Sequence, residues 1–133
     1  MRLLPLMLTT ITTVVLLNGL TGCARTHHTP TQAASNLIQR QSVVSMSSEY
    51  YPAKNPQTVA MYNDNQSPHT AYRVIGIATI SKYNLLGSPR QDATMNVMMK
   101  NLAASMGGDG LINVSENSDA MQAHIIAYQK ILI

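Results

Sequence analysis

Residues 88–114, SPRQDATMNVMMKNLAASMGGDGLINV, decide the fold because they predict a helix, its end and the strand that follows. Ser88 is expected as the N-cap, Pro89 as the first helical residue and Gln91 as the third position of a capping box. Gly107 stands where a left-handed C-cap would end the helix. An apolar stripe recurs at steps of three and four and predicts the core-facing side, with the members Met95, Met98, Met99, Leu102, Ala103 and Met106.

Strands are predicted on both sides of this helix. Before it, residues 59–62 (VAMY) predict a short strand, and residues 71–80 (AYRVIGIATI) predict a longer, β-branched one. Gly76 in the longer strand is expected at a bulge or at a close approach of another backbone. After the helix, residues 111–114 and 121–133 predict two strands joined by a polar hairpin loop. The sequence therefore predicts an α+β fold of order β-β-α-β-β, with one amphipathic helix packed on a small antiparallel or mixed sheet.

The amino-terminal end has the pattern of a signal peptide. Arg2 supplies a positive charge, and residues 3–17 form an apolar run that contains several threonines. Such a run is too short to span a bilayer, which takes about 20 apolar residues. A charged start, a short apolar core and small residues before a cleavage site are typical of secreted precursors.

The four residues from Leu20 to Cys23 (LTGC) resemble the lipobox of bacterial lipoproteins. The resemblance implies that a signal peptidase recognises Leu20, Thr21 and Gly22, and that Cys23 becomes the acylated amino terminus. Two or three acyl chains on one residue would anchor the protein stably, because a single chain binds only reversibly. Ala24, in place of an aspartate, implies sorting to the outer membrane. The alternative is an ordinary signal peptide with an incidental cysteine.

Removal of the predicted signal peptide, residues 1–22, leaves enough chain for one small domain. The whole chain has 9 Lys and Arg against 6 Asp and Glu, and the basic residues never cluster. We therefore expect no nucleic-acid partner. Residues 23–57 are rich in Thr, Ser, Gln, Asn and Pro and have no sustained apolar period, which predicts a flexible tether. Residues 58–133 are then the folded domain.

Three stretches together resemble small bacterial envelope domains: residues 72–80 (YRVIGIATI), residues 102–114 (LAASMGGDGLINV) and residues 124–131 (HIIAYQKI). They are similar to YhcN-type stress lipoproteins, to YbjQ-like domains and to the outer-membrane sensor lipoprotein of the Rcs phosphorelay. The resemblance covers residues 72–133 and implies a stress or sensing role at the cell envelope. The Rcs sensor is stapled by cysteines, whereas this chain has none after Cys23, so disulfide-dependent sensing is not implied.

Few residues offer catalytic or metal chemistry. Asp64 and His69 lie in one turn-rich loop and are weak candidates for binding a metal or transferring a proton. The methionines of the helix are interpreted as core packing rather than as copper ligands. Asp109 is expected to cap a turn, because GGDG lacks the spacing of a phosphate-binding loop. We therefore expect no enzyme and no cofactor other than the covalent lipid on Cys23.

The favoured interpretation is a non-enzymatic outer-membrane lipoprotein whose domain lies in the periplasm. It would reach the membrane through its acyl anchor and bind another envelope protein as a sensor, an adaptor or a stress factor. The alternative is an accessory structural subunit of a large outer-membrane assembly such as a secretion apparatus. Edge strands of the predicted sheet would offer backbone hydrogen bonds to either kind of partner.

Overall fold

A computed structural model describes residues 36–130 of this chain. Within them a single helix packs on one five-stranded sheet, which confirms the α+β class. The helix is α1 (Asp92–Ser105), and a short 3-10 turn covers Pro56–Thr58. The strands are β1 (Gln41–Ser45), β2 (Ala60–Met61), β3 (Tyr72–Ser81), β4 (Gly110–Glu116) and β5 (Ala120–Tyr128).

The sheet has the strand order β1-β3-β5-β4-β2 and is mixed. Only β2 and β4 pair in parallel; the other three neighbouring pairs are antiparallel. The two longest strands, β3 and β5, lie near the centre and pair over almost their whole length, with Ala78 opposite Ala123 and Ile80 opposite Met121. Small alanines at these central positions leave room for the helix to approach the sheet.

The core lies between α1 and one face of the sheet. The apolar stripe predicted for the helix is confirmed, because Met95, Met98, Met99, Leu102 and Ala103 are buried there and Met106 packs against them. On β5 the alternate residues from Met121 to Ala127 are buried on the same side. Burying a side chain of this size contributes about 1.5–3 kcal/mol. Hydrophobic packing against the sheet is therefore the main force that holds α1.

Both glycines predicted to have a special backbone role are confirmed. Gly107 has a φ of 77°, and its N–H donates to the carbonyl of Ala104 at 3.0 Å while the Gly108 N–H donates to that of Ala103 at 2.8 Å. This pair of bonds is the Schellman ending of a helix. Gly76 lies at a bulge in the pairing of β3 with β5. A Cβ at Gly76 would lie 2.8 Å from the Val44 carbonyl oxygen, so β1 approaches closely there.

The predicted start of the helix is wrong, because Ser88 and Gln91 do not cap it. The Asn84 side chain accepts hydrogen bonds from the N–H groups of Leu86 and Ser88, both at 2.9 Å, and the Ser88 carbonyl accepts from the Asn84 N–H at 2.9 Å. Ser88 is therefore committed to the preceding turn. The helix begins at Asp92, with Gln91 at the N-cap position but without a side-chain hydrogen bond.

The predicted boundary between tether and domain is also wrong. Residues 41–57, which the sequence assigned to the tether and which we call the strap, are part of the fold. Strand β1 within the strap pairs antiparallel with β3 in a register that places Ser45 opposite Gly76. The strand order is consequently β-β-β-α-β-β. Of the rest of the predicted tether, residues 36–40 are described and residues 23–35 lie outside the described residues.

Candidate functional site

The residues of the predicted lipobox lie outside the part of the chain that the structure describes. Leu20, Thr21, Gly22, Cys23 and Ala24 all precede residue 36. Their roles in cleavage, acylation and sorting stay predictions from the sequence. Within residues 36–130, no helix is both long and apolar enough to cross a membrane.

The candidate pair Asp64 and His69 is exposed on the loop before β3. His69 lines an open depression of about 380 Å³ with Tyr62, Asn65, Gln66 and Ser67, and Asp64 is not part of that lining. No ion pair joins Asp64 to His69 in the described structure. Between residues 36 and 130 no three His, Cys, Asp or Glu residues lie close enough to hold a metal ion. The structure does not bring these two residues together as a site.

Asp109, in the loop between α1 and β4, forms polar contacts with three other segments of the described chain. One carboxylate oxygen forms an ion pair with the Lys54 ammonium of the strap, and the other accepts a hydrogen bond from the Tyr128 N–H at 2.8 Å. The backbone of Asp109 adds two bonds, from the Ala60 N–H at 3.0 Å and to the Ile126 carbonyl at 2.7 Å. The prediction that Asp109 caps a turn is wrong. Asp109 instead joins the strap, β2 and β5.

Two tyrosine hydroxyls meet beside this group. The hydroxyl oxygens of Tyr62 and Tyr128 are 2.5 Å apart. Burial raises the pKa of Tyr128 to about 12, and the hydrogen bond with Tyr62 and the negative charge of Asp109 act in the same direction. Tyr128 is therefore protonated at neutral pH. A general base needs a pKa near the working pH, and the pKa of Tyr128 lies well above it.

A second polar group binds the strap at the amino-terminal end of β3. The Arg73 guanidinium is 2.6 Å from one Glu49 oxygen, and the Tyr51 hydroxyl donates to the other at 2.7 Å. The hydrogen bond from Tyr51 and the contacts with Arg73 hold the pKa of Glu49 below its usual value. These three residues line a shallow depression with Ala127, Tyr128, Gln129 and Lys130. Their contacts position the strap beside β3.

Strand β1 lies at one edge of the sheet. Just outside the strand, the Arg40 carbonyl accepts a hydrogen bond from the Ser81 N–H of β3, and the Met46 N–H donates to the Ile75 carbonyl of β3. Because the direction of backbone groups alternates along a strand, the N–H and C=O groups of residues 41, 43 and 45 point away from β3. Among the described strands, none pairs with that side. The edge is uncharged, QSVVS, and carries neither lysine nor proline to block pairing.

Sequence reasoning missed this edge, although a weak signal was present. Val43 and Val44 are adjacent β-branched residues in a proline-free run, which favours a strand. The run is only five residues long and polar on both sides, so it resembles the rest of the predicted tether. Its assignment as a strand depends on pairing with β3, more than 30 residues away in the chain.

Comparisons with known proteins identify no family for this chain. No protein-family model matches it, and no curated protein matches it. Among solved structures, it is similar to the Francisella virulence factor FvfA, with a TM-score of 0.44 and 20% sequence identity. That match covers 68% of this chain and 97% of the FvfA chain. A likeness of this strength carries no argument about the function of this protein.

Proposed function

We propose that this protein is an acylated lipoprotein of the bacterial outer membrane that works by binding another envelope protein. The lipobox ending in Cys23 supports the anchor, and Ala24 supports the outer membrane as its location. The observation that carries the binding role is the free edge of β1. An extended segment of the partner would add to this edge as a sixth strand, with main-chain hydrogen bonds to residues 41, 43 and 45.

The composition of the edge supports strand addition. Natural edge strands usually carry charges, prolines or bulges that prevent pairing with other chains. In β1 the side chains are Gln, Ser and Val, and the Val44 side chain is largely exposed. Such a strand accepts another strand without burying a charge. The polar groups around Asp109 and Glu49 hold β1 in place, and we assign them no catalytic role.

The test is crosslinking in intact cells with proline variants of the strap. Ser45→Pro removes an N–H that points away from β3, so β1 keeps its bonds to the sheet while one bond to a partner is lost. We expect this variant to lose the partner crosslink. Ser48→Pro, on an exposed bend three residues later, is the matched control and should keep it. Val44→Lys, at an exposed side chain, adds an edge charge and should weaken the crosslink without changing the core.

Recovery of the protein without a crosslinked partner under several envelope stresses would contradict the proposal. Equal crosslinking of Ser45→Pro and Ser48→Pro would contradict the β1 edge as the binding surface. Copurification with a partner in a fixed ratio would instead favour the second candidate, an accessory subunit of a large outer-membrane assembly. A transient sensor or adaptor should be recovered in a ratio that varies with stress.

A further inference from the structure

Large apolar side chains are exposed at the end of the fold where the described chain begins. Four of them come from two segments: residues 36–40 and the turn after β3. Their exposed fractions are 79% for Leu37, 61% for Ile38, 64% for Leu85 and 90% for Leu86. Exposed apolar patches mark surfaces that bind a protein, a membrane or a ligand. We call these four residues the leucine patch.

The two segments of the leucine patch are joined by direct hydrogen bonds. The Arg90 guanidinium donates to the Gln39 carbonyl at 2.5 Å, and that of Arg40 donates to the Asn84 carbonyl at 3.5 Å. The Arg40 carbonyl also accepts from the Ser81 N–H at 2.9 Å. Residues 36–40 are therefore fixed beside the turn, and the four apolar side chains belong to one end of the molecule.

The turn presents its leucines in a defined way. The Gly87 N–H donates to the Asn84 carbonyl at 3.0 Å, and Gly87 has a φ of 82°. Leu85 and Leu86 thus occupy the two central positions of a four-residue turn, where Gly, Asn, Asp, Ser or Pro normally stand. The Asn84 side chain further fixes the turn by accepting from Leu86 and Ser88. The two leucines at the tip of this ordered turn are therefore left largely exposed to solvent.

We propose that the leucine patch inserts into the outer-membrane lipid surface and sets the orientation of the domain. This inference rests on the proposed acyl anchor at Cys23. In the sequence, Cys23 precedes Leu37 by 14 residues, and the described residues start at Asn36. A chain reaches at most about 3.5 Å per residue, so Leu37 lies within about 50 Å of Cys23.

The side chains around the leucine patch fit a lipid interface. Tyr83 is partly exposed beside the turn, and tyrosine is enriched at the boundary between lipid and water. Arg40 and Arg90 flank the patch, and arginine next to exposed leucines suits the headgroup region. Glu116 is paired with Lys82 at 2.9 Å. Asp92 and Asp119 are exposed nearby, so the apolar side chains, rather than net charge, supply the attraction.

Insertion of the patch would point the opposite end of the sheet away from the membrane. Tyr72 begins β3 and Ser81 ends it, so these ends are about 30 Å apart at the usual rise of a strand. The free edge of β1 runs along the same direction, because β1 pairs with residues 76–80 of β3. In a domain held in this way, the β1 edge would run away from the membrane and be accessible to proteins that approach along the membrane surface.

The test uses tryptophan fluorescence, because the chain contains no tryptophan. Leu86→Trp places the probe in the leucine patch, and Tyr72→Trp places a matched probe at the other end of β3. Both side chains are exposed, so neither change disturbs the core. The acylated products of the full chain are reconstituted into phosphatidylcholine vesicles with plain or brominated acyl chains. Flotation with the vesicles is measured in the same samples.

We expect the Leu86→Trp emission to move to shorter wavelength and to lose most of its intensity in brominated vesicles. The Tyr72→Trp emission should be the same in both kinds of vesicle. Equal emission of the two probes on vesicles that float with the protein would overturn the leucine patch and leave the anchor intact. A short-wavelength emission that bromine does not quench would show that protein, rather than lipid, surrounds the probe. This result would also overturn the insertion of the leucine patch. Protein that fails to float would contradict both the anchor and the patch.

Discussion

The strap and the segment from α1 to β5 lie on the same sheet but are held by different interactions. Between residues 95 and 127 most apolar side chains are buried, whereas no residue of the strap, residues 41–57, is fully buried. Val43 and Tyr51 of the strap pack against the core only in part. The strap is fixed mainly by strand pairing, by the ion pair of Lys54 with Asp109 and by the contacts of Glu49 with Arg73. Apolar packing leaves a periodic pattern in the sequence, and specific polar contacts do not.

This difference predicts that a core substitution destabilises the whole domain. Met99 is fully buried between α1 and the sheet, so Met99→Ala leaves a cavity and should lower the free energy of unfolding by about 2–5 kcal/mol. Val97 lies on the same helix but is largely exposed, and Val97→Ala should change it by less than about 0.5 kcal/mol. Urea unfolding measures both. Similar losses in the two variants would mean that α1 packs differently.

The contact between the strap and the helix end can be isolated with two glycines. Gly87 and Gly107 both have positive φ, but a Cβ on Gly87 meets nothing within 4 Å, whereas one on Gly107 would lie 2.5 Å from the Tyr51 Cβ. Gly87→Ala should therefore cost about 1–2 kcal/mol for the backbone alone. Gly107→Ala should cost about 2–4 kcal/mol, because Tyr51 and Pro52 must also move.

Hydrogen exchange of the strap separates the two effects further. In Gly107→Ala the amides of residues 46 and 54, which bond to β3 and α1, should exchange faster. In Gly87→Ala the same two amides should exchange no faster than the loss of global stability alone would explain. Equal effects on unfolding and on exchange would show that the strap does not press on Gly107.

Removing the ion pair of the strap should have a smaller effect. Asp109→Asn keeps an acceptor for the Tyr128 N–H but loses the charge that attracts Lys54, which should cost about 1–2 kcal/mol for this half-buried pair. Lys82→Met breaks the more exposed pair with Glu116 and should cost about 0–1 kcal/mol. Thermal unfolding of the two variants measures the contrast. A larger loss in Lys82→Met would refute the role of Asp109 in holding the strap.

The smallest expected effect is the pH dependence that Glu49 introduces. Its pKa is lower in the folded protein than the ordinary value of 4.5 because Tyr51 and Arg73 favour the charged form. The stabilisation is therefore complete above pH 4.5 and is lost as the pH falls through the lowered pKa. Comparing unfolding of the unaltered protein with Glu49→Gln from neutral to acid pH should show a difference that disappears in acid. A constant difference would mean that Glu49 acts without its charge.

The sequence predictions were accurate for local apolar and backbone patterns and less accurate where specific polar contacts decide the structure. The methionine stripe of α1, the left-handed Gly107 and the bulge at Gly76 were correctly predicted, because each is a local pattern with a local physical cause. The capping box at Ser88 was wrong because Asn84 binds Ser88 into the preceding turn. A sequence with two possible local hydrogen-bond partners does not indicate which one forms. The weak Asp64 and His69 pair was not brought together.

By itself, the amino-acid sequence determined the α+β class, the helix that faces the sheet and the expectation of an acyl anchor at Cys23. Apolar periodicity and turn chemistry act over a few residues, so they can be recognised from the sequence alone. Only the tertiary structure decided that the strap joins the sheet, that Asp109 binds Lys54 and that Arg90 binds the Gln39 carbonyl. These contacts join residues 31–55 positions apart, and their stability depends on the core that brings the segments together.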